Sequence, residues 1–528
     1  MKISIEKLFV EAAGKPRSID FELHPFIAAH CGIREDDIID YTILKRSIDA
    51  RNQDSIKLVY SLTVELDDHL RPQRSWKPAP AEVPYETPVF SGRNAPLHPV
   101  IVGAGPGGLF CALILAMAGC RPVILDRGRD VTRRQADIDR FFQTRELNEE
   151  SNLLFGEGGA GTWSDGKLFT RIRDPRIDFV LHEMIECGAP ENIAYYSHPH
   201  VGSDRLPGVI AGLRRKIESL GGVFRWDSRA ESLLTVNGAC RGVLLSGGEK
   251  LEAPLVVAAC GHSARDFILA CIQSGAAFRM KGFQIGCRIE HPQDFINWMQ
   301  FGIQETLPAL GNAEYSMVSR PVPDGRCGGV ATFCMCPGGE IIPATPKCER
   351  LCTNGMSNYA RSGKFANAAL VTTIGPEVFG SPQEAYAFLD NLEHRAYDAG
   401  GGNFTCPAQR ASEFLRSECG CLPKHSSWKF GLRAARIDSL LPKNIRNALC
   451  RAMIHFDRQA EGYVRYGTLL GVETRVSSPV RFERDEASRQ NPLADFYPVG
   501  EGAGLAGGIT SSAIDGILTA ESILRRGS

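Results

Sequence analysis

At 528 residues the chain exceeds what one ordinary hydrophobic core supports, so two or three domains are expected. Its 43% hydrophobic and 23% charged residues are those of a globular protein, and 60 basic against 61 acidic residues leave a net charge of −1, which argues against nucleic acid or an anionic membrane as the main partner. No apolar run approaches the roughly 18 residues of a spanning helix, no signal-peptide pattern opens the chain, and 17 scattered cysteines read as reduced thiols of a cytoplasmic protein.

Residues 1–75 predict a small α+β domain. A strand-like opening precedes an apolar helical patch from Pro25 to Cys31, then two strands near Ile38–Ile48 and Ile56–Leu66. In the last, Ile56, Leu58, Tyr60, Leu62, Val64 and Leu66 alternate with mostly polar neighbours, the period-two pattern of a half-buried strand. Residues 76–98 carry Pro78, Pro80, Pro84, Pro88 and Pro96. Lacking a backbone donor and fixed in φ, these prolines predict a linker or covering arm and no regular element.

A dinucleotide cradle opens the next segment, residues 99–275. Val100-Ile101-Val102 runs into Gly103-Ala104-Gly105-Pro106-Gly107-Gly108, and Leu109 to Ala118 is apolar nearly all round, as in a buried helix. The first glycine permits a tight turn, the second lets a pyrophosphate approach the backbone, and the third lets helix and strand pack closely. The helix N-terminus then offers N–H groups to the anion. A second apolar run, Pro122–Leu125, ends at Asp126, placed to accept hydrogen bonds from ribose hydroxyls. The arginines at 127, 129, 133, 134 and 140 predict a solvated helix face.

Ser151–Lys167, with glycines at 156, 158, 159, 161 and 166, is too glycine-rich for a regular element and suits a wrap around a flat aromatic ring. Lys167 is a positive charge beside that ring or a solvated loop lysine. Leu255–Ala259 returns to the sheet and delivers Cys260-Gly261-His262-Ser263. His262 is a candidate acid or base, or a loop histidine packed against the ligand.

Far downstream, Phe496–Val499 leads into Gly500-Glu501-Gly502-Ala503-Gly504, and Gly507-Gly508-Ile509-Thr510 opens a helix. A second helix N-terminus aimed at the same ligand is the arrangement of two-part flavoproteins, where it favours an anionic reduced flavin. It selects FAD over NAD, although a close helix–sheet crossing also requires small residues. No second Gly-x-Gly-x-x-Gly follows a strand. A dedicated NAD(P)H domain is therefore not expected, and NAD(P)H as a transient electron donor would bind in the substrate cleft.

The segments VGAGPGGLF, ESNLLFGEGGAGTWSDGKL, GHSARD, TFCMCPGGE, TNGMSNYAR, GVETRVSSPVR and YPVGEGAGLAGGITSSAIDG resemble signatures of the bacterial FAD-dependent dehydrogenases of undetermined substrate. The resemblance spans nearly the whole chain. It implies an α/β fold: a Rossmann-like FAD-binding domain with an inserted α+β substrate domain and the small N-terminal α+β domain. The parts would be residues 99–275 and 481–528 for FAD, and 276–480 for the insertion. One FAD would contact Gly103, Ala104, Gly105, Pro106, Gly107, Gly108, Asp126 and Arg127. Gly158, Gly159, Ala160, Gly161, Thr162 and Lys167 would follow from the loop, with Gly261, His262, Ser263, Gly500, Glu501, Gly508, Ile509 and Thr510. Asp126 stands where such flavoproteins more often carry Glu, and either carboxylate can hold a ribose. Ser417–Phe430 matches no signature and reads as a surface excursion.

Catalytic residues are less defined. Cys334 and Cys336 are a dithiol suited to exchange electrons with flavin, or two apolar cysteines on one strand face. Cys419 and Cys421 would complete a four-cysteine set, but each pair lacks the two intervening residues of zinc knuckles, and no metal is expected. Glu473 and Arg475 bind a polar substrate or form an interdomain ion pair. The expected activity is hydride transfer between flavin and a small-molecule substrate. The alternatives are an FAD-dependent monooxygenase, or a flavoprotein with a non-catalytic or RNA-associated role that uses Lys45, Arg46, Arg51 and Lys57 of the N-terminal domain as a binding surface.

Overall fold

Short runs of β-branched residues build the central layer. The computed structural model describes residues 1–12, 22–80, 85, 97–304, 308–321 and 327–526. In it one parallel sheet runs, edge to edge, through Phe496–Pro498, Val256–Ala258, Val100–Val102, Val123–Leu125 and Val223–Arg225. Val100–Val102 and Val256–Ala258 are buried at every residue, which is why they read as continuous apolar runs without alternation. The helices Pro106–Met117 and Ile509–Arg526 pack side by side. Their backbones touch at a glycine crossing: a Cβ on Gly516 would lie 2.1 Å from the Gly107 carbonyl oxygen. The expected glycine turn and the expected small-residue crossing are thus both present, at opposite ends of two turns of one helix.

A second, six-stranded sheet runs through Cys327–Cys336, Phe365–Ile374, Phe283–Pro292, Thr468–Glu473, Cys406–Arg410 and Leu432–Ala434. It is antiparallel except for its last pair, and the helices Pro382–Gly400 and Lys443–Gln459 pack on it. The ladder Phe278–Met280 with Val480–Phe482 brings the two ends of this segment together. Ser417–Phe430 is not wholly a surface excursion. Trp428 and Phe430 are buried, because the Trp428 indole donates to the Phe404 carbonyl at 3.1 Å and Phe430 stacks among Phe141, Phe142 and Phe404.

The N-terminal sheet has the order Ile38–Asp49, Lys57–Leu66, Lys2–Glu11, Lys77–Pro78. Leu58, Leu62 and Val64 of the alternating strand are fully buried, and the helix His24–Cys31 lies against Lys2–Glu11. Part of the expected linker is therefore an element: Lys77 and Pro78 pair with Ser4 and Ile3. The proline is tolerated because the strand is at the sheet edge. Pro84, Pro88 and Pro96 lie outside the described residues. The basic surface weighed for RNA is partly consumed by the fold. Arg46 is buried, donates to the Ala309 carbonyl at 2.6 Å and lies over the Tyr196 ring, and Arg51 pairs with Asp49. Among the described residues no helix is long and apolar enough to cross a membrane.

Candidate functional site

Four adjacent parallel strands end at one place. Their carboxyl ends deliver Gly103 after Val102, Asp126 after Leu125, Cys260 after Ala259, and Gly500 after Val499, and all line a single cavity of about 740 Å³. Ligands of open α/β sheets bind beyond the strand carboxyl ends, and a volume of this order suits a cofactor-sized molecule. The N-termini of Pro106–Met117 and Ile509–Arg526 open on the same cavity through Gly105, Pro106, Gly107, Gly508 and Ile509. Their first-turn N–H groups lack intrahelical acceptors, so both ends offer donors and a positive dipole.

The expected contact residues divide into two groups. Arg127, Gly159, Ala160, Gly161, Lys167, Gly261, His262, Ser263 and Glu501 line the cavity with those named above. Ala104, Gly108, Gly158, Thr162 and Thr510 stand behind it and bind loops to one another. The Gly158 N–H donates to the Ala104 carbonyl at 2.8 Å, Thr162 Oγ1 to the Glu157 carbonyl at 3.0 Å, and Thr510 Oγ1 to the Leu168 carbonyl at 2.7 Å. Asp126 does more than face the cavity. Its two carboxylate oxygens accept from the Ala104 and Gly128 N–H groups at 2.9 Å each, tying the first glycine turn to the second strand.

The loop Ser151–Lys167 holds one short 3-10 turn, Gly159–Gly161, which the glycine content had argued against. Asp165 is buried between Lys167 Nζ and Arg361 Nη2, each 2.6 Å from Oδ2. Burial pushes the Asp165 carboxyl up, but the two cations outweigh it and hold it well below the usual carboxylate range. Lys167 is thus not a solvated loop lysine.

The arginine face is also corrected. Arg134 is fully buried, stacked 4.3 Å from the Trp163 ring and donating to the Asn152 and Glu157 carbonyls at 2.7 Å each. Arg127 joins Glu150 at 2.6 Å to Asp266 at 2.8 Å across the cavity rim. These arginines brace the glycine loop; Arg133 and Arg140 are exposed as expected.

The six-stranded sheet supplies the facing wall with Gln284, Phe333, Cys334, Thr373 and Glu473, and Arg475 joins them just past the end of the strand Thr468–Glu473. Glu473 and Arg475 do not pair with each other or across the two sheets. Glu473 is clamped by Arg288 at 2.7 Å, and Arg475 by Glu393 at 2.8 Å. Glu393 also binds Arg265 of the glycine-cradle half, so the interdomain ion pair exists, but through Arg265. Arg475 is buried, and its Nε and Nη1 have no hydrogen-bond partner among the described residues. Cys419 and Cys421 are exposed, whereas Cys336 is buried and Cys334 lines the cavity. Sequence reasoning did not single out Arg288, Asp165, Arg361 or Arg265. Only the burial of Arg288 within an apolar strand, FQIGCRIEHP, left a local trace.

His262 Nε2 lies 2.9 Å from the Arg475 carbonyl. Burial, reinforced by Arg475, Arg265 and Lys281, pushes its pKa down to about 4. Because the folded value is depressed below about 6.5, the stability of the neutral form is present above that pH and is lost as pH falls through the folded value near 4. In imidazole-labelled protein, the NMR resonance missing from His262→Gln is expected to move only below about pH 5. A midpoint near the unperturbed value would show an unsealed imidazole.

Residues 282–476 match the family model described as "FAD-dependent protein, C-terminal domain-like", and residues 14–65 match a domain of unknown function. An uncharacterized protein of Clostridium beijerinckii is 38% identical over 524 residues, covering 96% of this chain and 97% of that one. Among solved structures, a glycerol-3-phosphate dehydrogenase from Bacillus halodurans complexed with FAD is 10% identical at a TM-score of 0.37, over 82% of this chain and 65% of that one. A geranylgeranyl bacteriochlorophyll reductase-like protein from Thermoplasma acidophilum is 10% identical at 0.34, over 82% and 80%. The whole-length relative and the C-terminal match make the chain a member of a family of FAD-dependent proteins of undetermined substrate.

Proposed function

We propose that this chain is an FAD-dependent oxidoreductase of the cytoplasm, transferring hydride between the flavin and a small or medium organic substrate. The observation that carries the reading is the convergence of four strand ends and two helix N-termini on one cavity walled by a second sheet. The residues fit FAD. A Cβ on Gly105 would meet nothing within 4 Å, so the backbone there is open to a pyrophosphate. Asp126 lies at the next strand end for a ribose, and the unpartnered Arg475 nitrogens suit an anionic or carbonyl group. When bound, FAD supplies two-electron hydride chemistry at its isoalloxazine ring. The chain's own groups orient the ligands, exclude water beneath the second sheet, and keep His262 neutral at physiological pH. Seventeen cysteines scattered over a long chain fit a reducing compartment, and NAD(P)H is a candidate transient electron donor.

Denatured pure protein is expected to release FAD, identified by chromatography, in a one-to-one ratio with the chain. Turnover screens against reduced nicotinamides, quinones and unsaturated acids would then name the substrate class. A colourless protein that takes up no added FAD sinks the proposal.

A further inference from the structure

We propose that Cys334 and Cys336 form a redox-active dithiol–disulfide couple that exchanges two electrons with the cofactor of the adjoining cavity. The exchange rests on the FAD reading above; the couple itself rests on the geometry of one strand end. Cys327–Cys336 pairs with Phe365–Ile374 regularly from Val330 opposite Thr372 to Phe333 opposite Ala369, then slips by one residue before Cys336 meets Asn367. Cys334 sits at that bulge with φ +45°, in the left-handed region that non-glycine residues seldom occupy. As a result the consecutive residues Phe333 and Cys334 both line the cavity, while Cys336 lies buried immediately behind. Bulges of this kind re-aim side chains beside active sites.

The two cysteines are separated by a single residue at this bulge, where the chain leaves the extended conformation and brings the Cys336 side chain back toward the Cys334 backbone. The Cys336 thiol donates to the Cys334 carbonyl at 3.3 Å. Two cations face the pair: Lys167 Nζ is 3.8 Å from Cys336 Sγ, and Arg288 Nη1 is 3.4 Å from the Cys334 carbonyl. The Cys336 hydrogen bond, with Lys167 and Arg288, draws the Cys334 thiol down to about 5 against burial, while Cys336 is held well above the usual thiol range. Buried cysteines elsewhere, such as Cys111 and Cys287, are pushed only upward by burial. At neutral pH the pair is therefore a thiolate at the cavity with a protonated thiol behind it, the arrangement of a reactive dithiol. Oxidation joins the two sulfurs, breaks the Cys336 S–H bond, and passes two electrons and that proton to oxidised FAD; reduction of the disulfide reverses each change.

The test uses full-length, flavin-loaded protein equilibrated in mixtures of reduced and oxidised dithiothreitol, quenched in acid, alkylated with N-ethylmaleimide and mapped by mass spectrometry. The peptide carrying Cys334 and Cys336 is expected to lose two hydrogens as one two-electron couple while the other fifteen of the 17 cysteines stay alkylated. After oxidation and removal of reagent, anaerobic bleaching of the flavin is expected to consume four electrons per chain in the wild type and two in Cys334→Ser. Cys336→Ser, retaining the flavin, is expected to slow iodoacetamide capture of Cys334 at about pH 6 by about tenfold. Yellow protein whose two thiols are alkylated at every potential, or wild type that bleaches with two electrons after oxidation, overturns the couple. A colourless protein overturns the exchange through failure of the FAD reading, and colour alone tells the two failures apart.

Discussion

Gly105→Val is expected to fold as the wild type does, melt at nearly the same temperature, and emerge from purification without flavin. Three observations separate its fold from its ligand. Gly105 has φ −78° and ψ 179°, an extended conformation open to any residue, including a β-branched one. Its added Cβ would meet nothing within 4 Å, so the protein itself is not crowded. Yet Gly105 lines the cavity at the N-terminus of Pro106–Met117, where a pyrophosphate would use the free N–H groups. A valine side chain there projects into the ligand's space alone. Affinity for FAD is expected to fall by at least about a hundredfold, or about 2.7 kcal/mol. Gly108→Val is the contrasting variant: its Cβ would lie 1.9 Å from the Gly103 carbonyl oxygen, backbone that cannot step aside. That variant should lose about 1–3 kcal/mol of stability whether or not flavin is present. Urea unfolding of the apoproteins, with absorbance of the holoproteins, checks both. A Gly105→Val protein that remains fully yellow removes the pyrophosphate from this turn.

The difference between those two glycines shows which parts of the site were legible in the sequence. Gly103, Gly105 and Gly108 follow one another within a single strand–turn–helix, so their roles follow from local spacing. The strand Lys57–Leu66 was legible for the same reason, since burial alternates residue by residue with hydropathy. What local pattern could not report is where a loop returns. Arg134 sits among arginines that read as a solvated face, and in Val131–Thr144 most of them are. Its burial depends on the carbonyls of Asn152 and Glu157 and the ring of Trp163, brought back by the glycine loop. Lys167 was undecided because its partner, Arg361-bound Asp165, is fixed by a contact nearly two hundred positions away. Lys77 and Pro78 form an edge strand because Ser4 and Ile3 offer one, a non-local pairing that overrides proline composition. The bulge at Cys334 is likewise a property of its pairing with Phe365–Ile374, invisible in a Cys-x-Cys spacing that two apolar cysteines would share.

The wall that carries Cys334 depends on one buried ion pair, and Arg288→Met is expected to destabilise the protein by about 3–5 kcal/mol. Arg288 is fully buried, with Nε 2.7 Å and Nη2 3.0 Å from the two Glu473 oxygens, and it also donates to Asn367 and Asn354. Methionine approximates the volume of the stem but leaves the Glu473 carboxylate in a low-dielectric interior without its cation. Burial already pushes the Glu473 carboxyl up even with Arg288 beside it, and removing the guanidinium raises it further. With a folded pKa above the unfolded value of about 4.3, the variant keeps the stability of protonated Glu473 below that pH and loses it as pH rises through the folded value. The deficit against wild type should therefore grow from about pH 5 to about pH 8 in urea titrations. Arg288→Met combined with Glu473→Leu should recover most of it at every pH, because neither charge remains to be desolvated. Equal unfolding midpoints for the single variant and the wild type would show that the guanidinium is not what holds the Glu473 carboxylate in the wall.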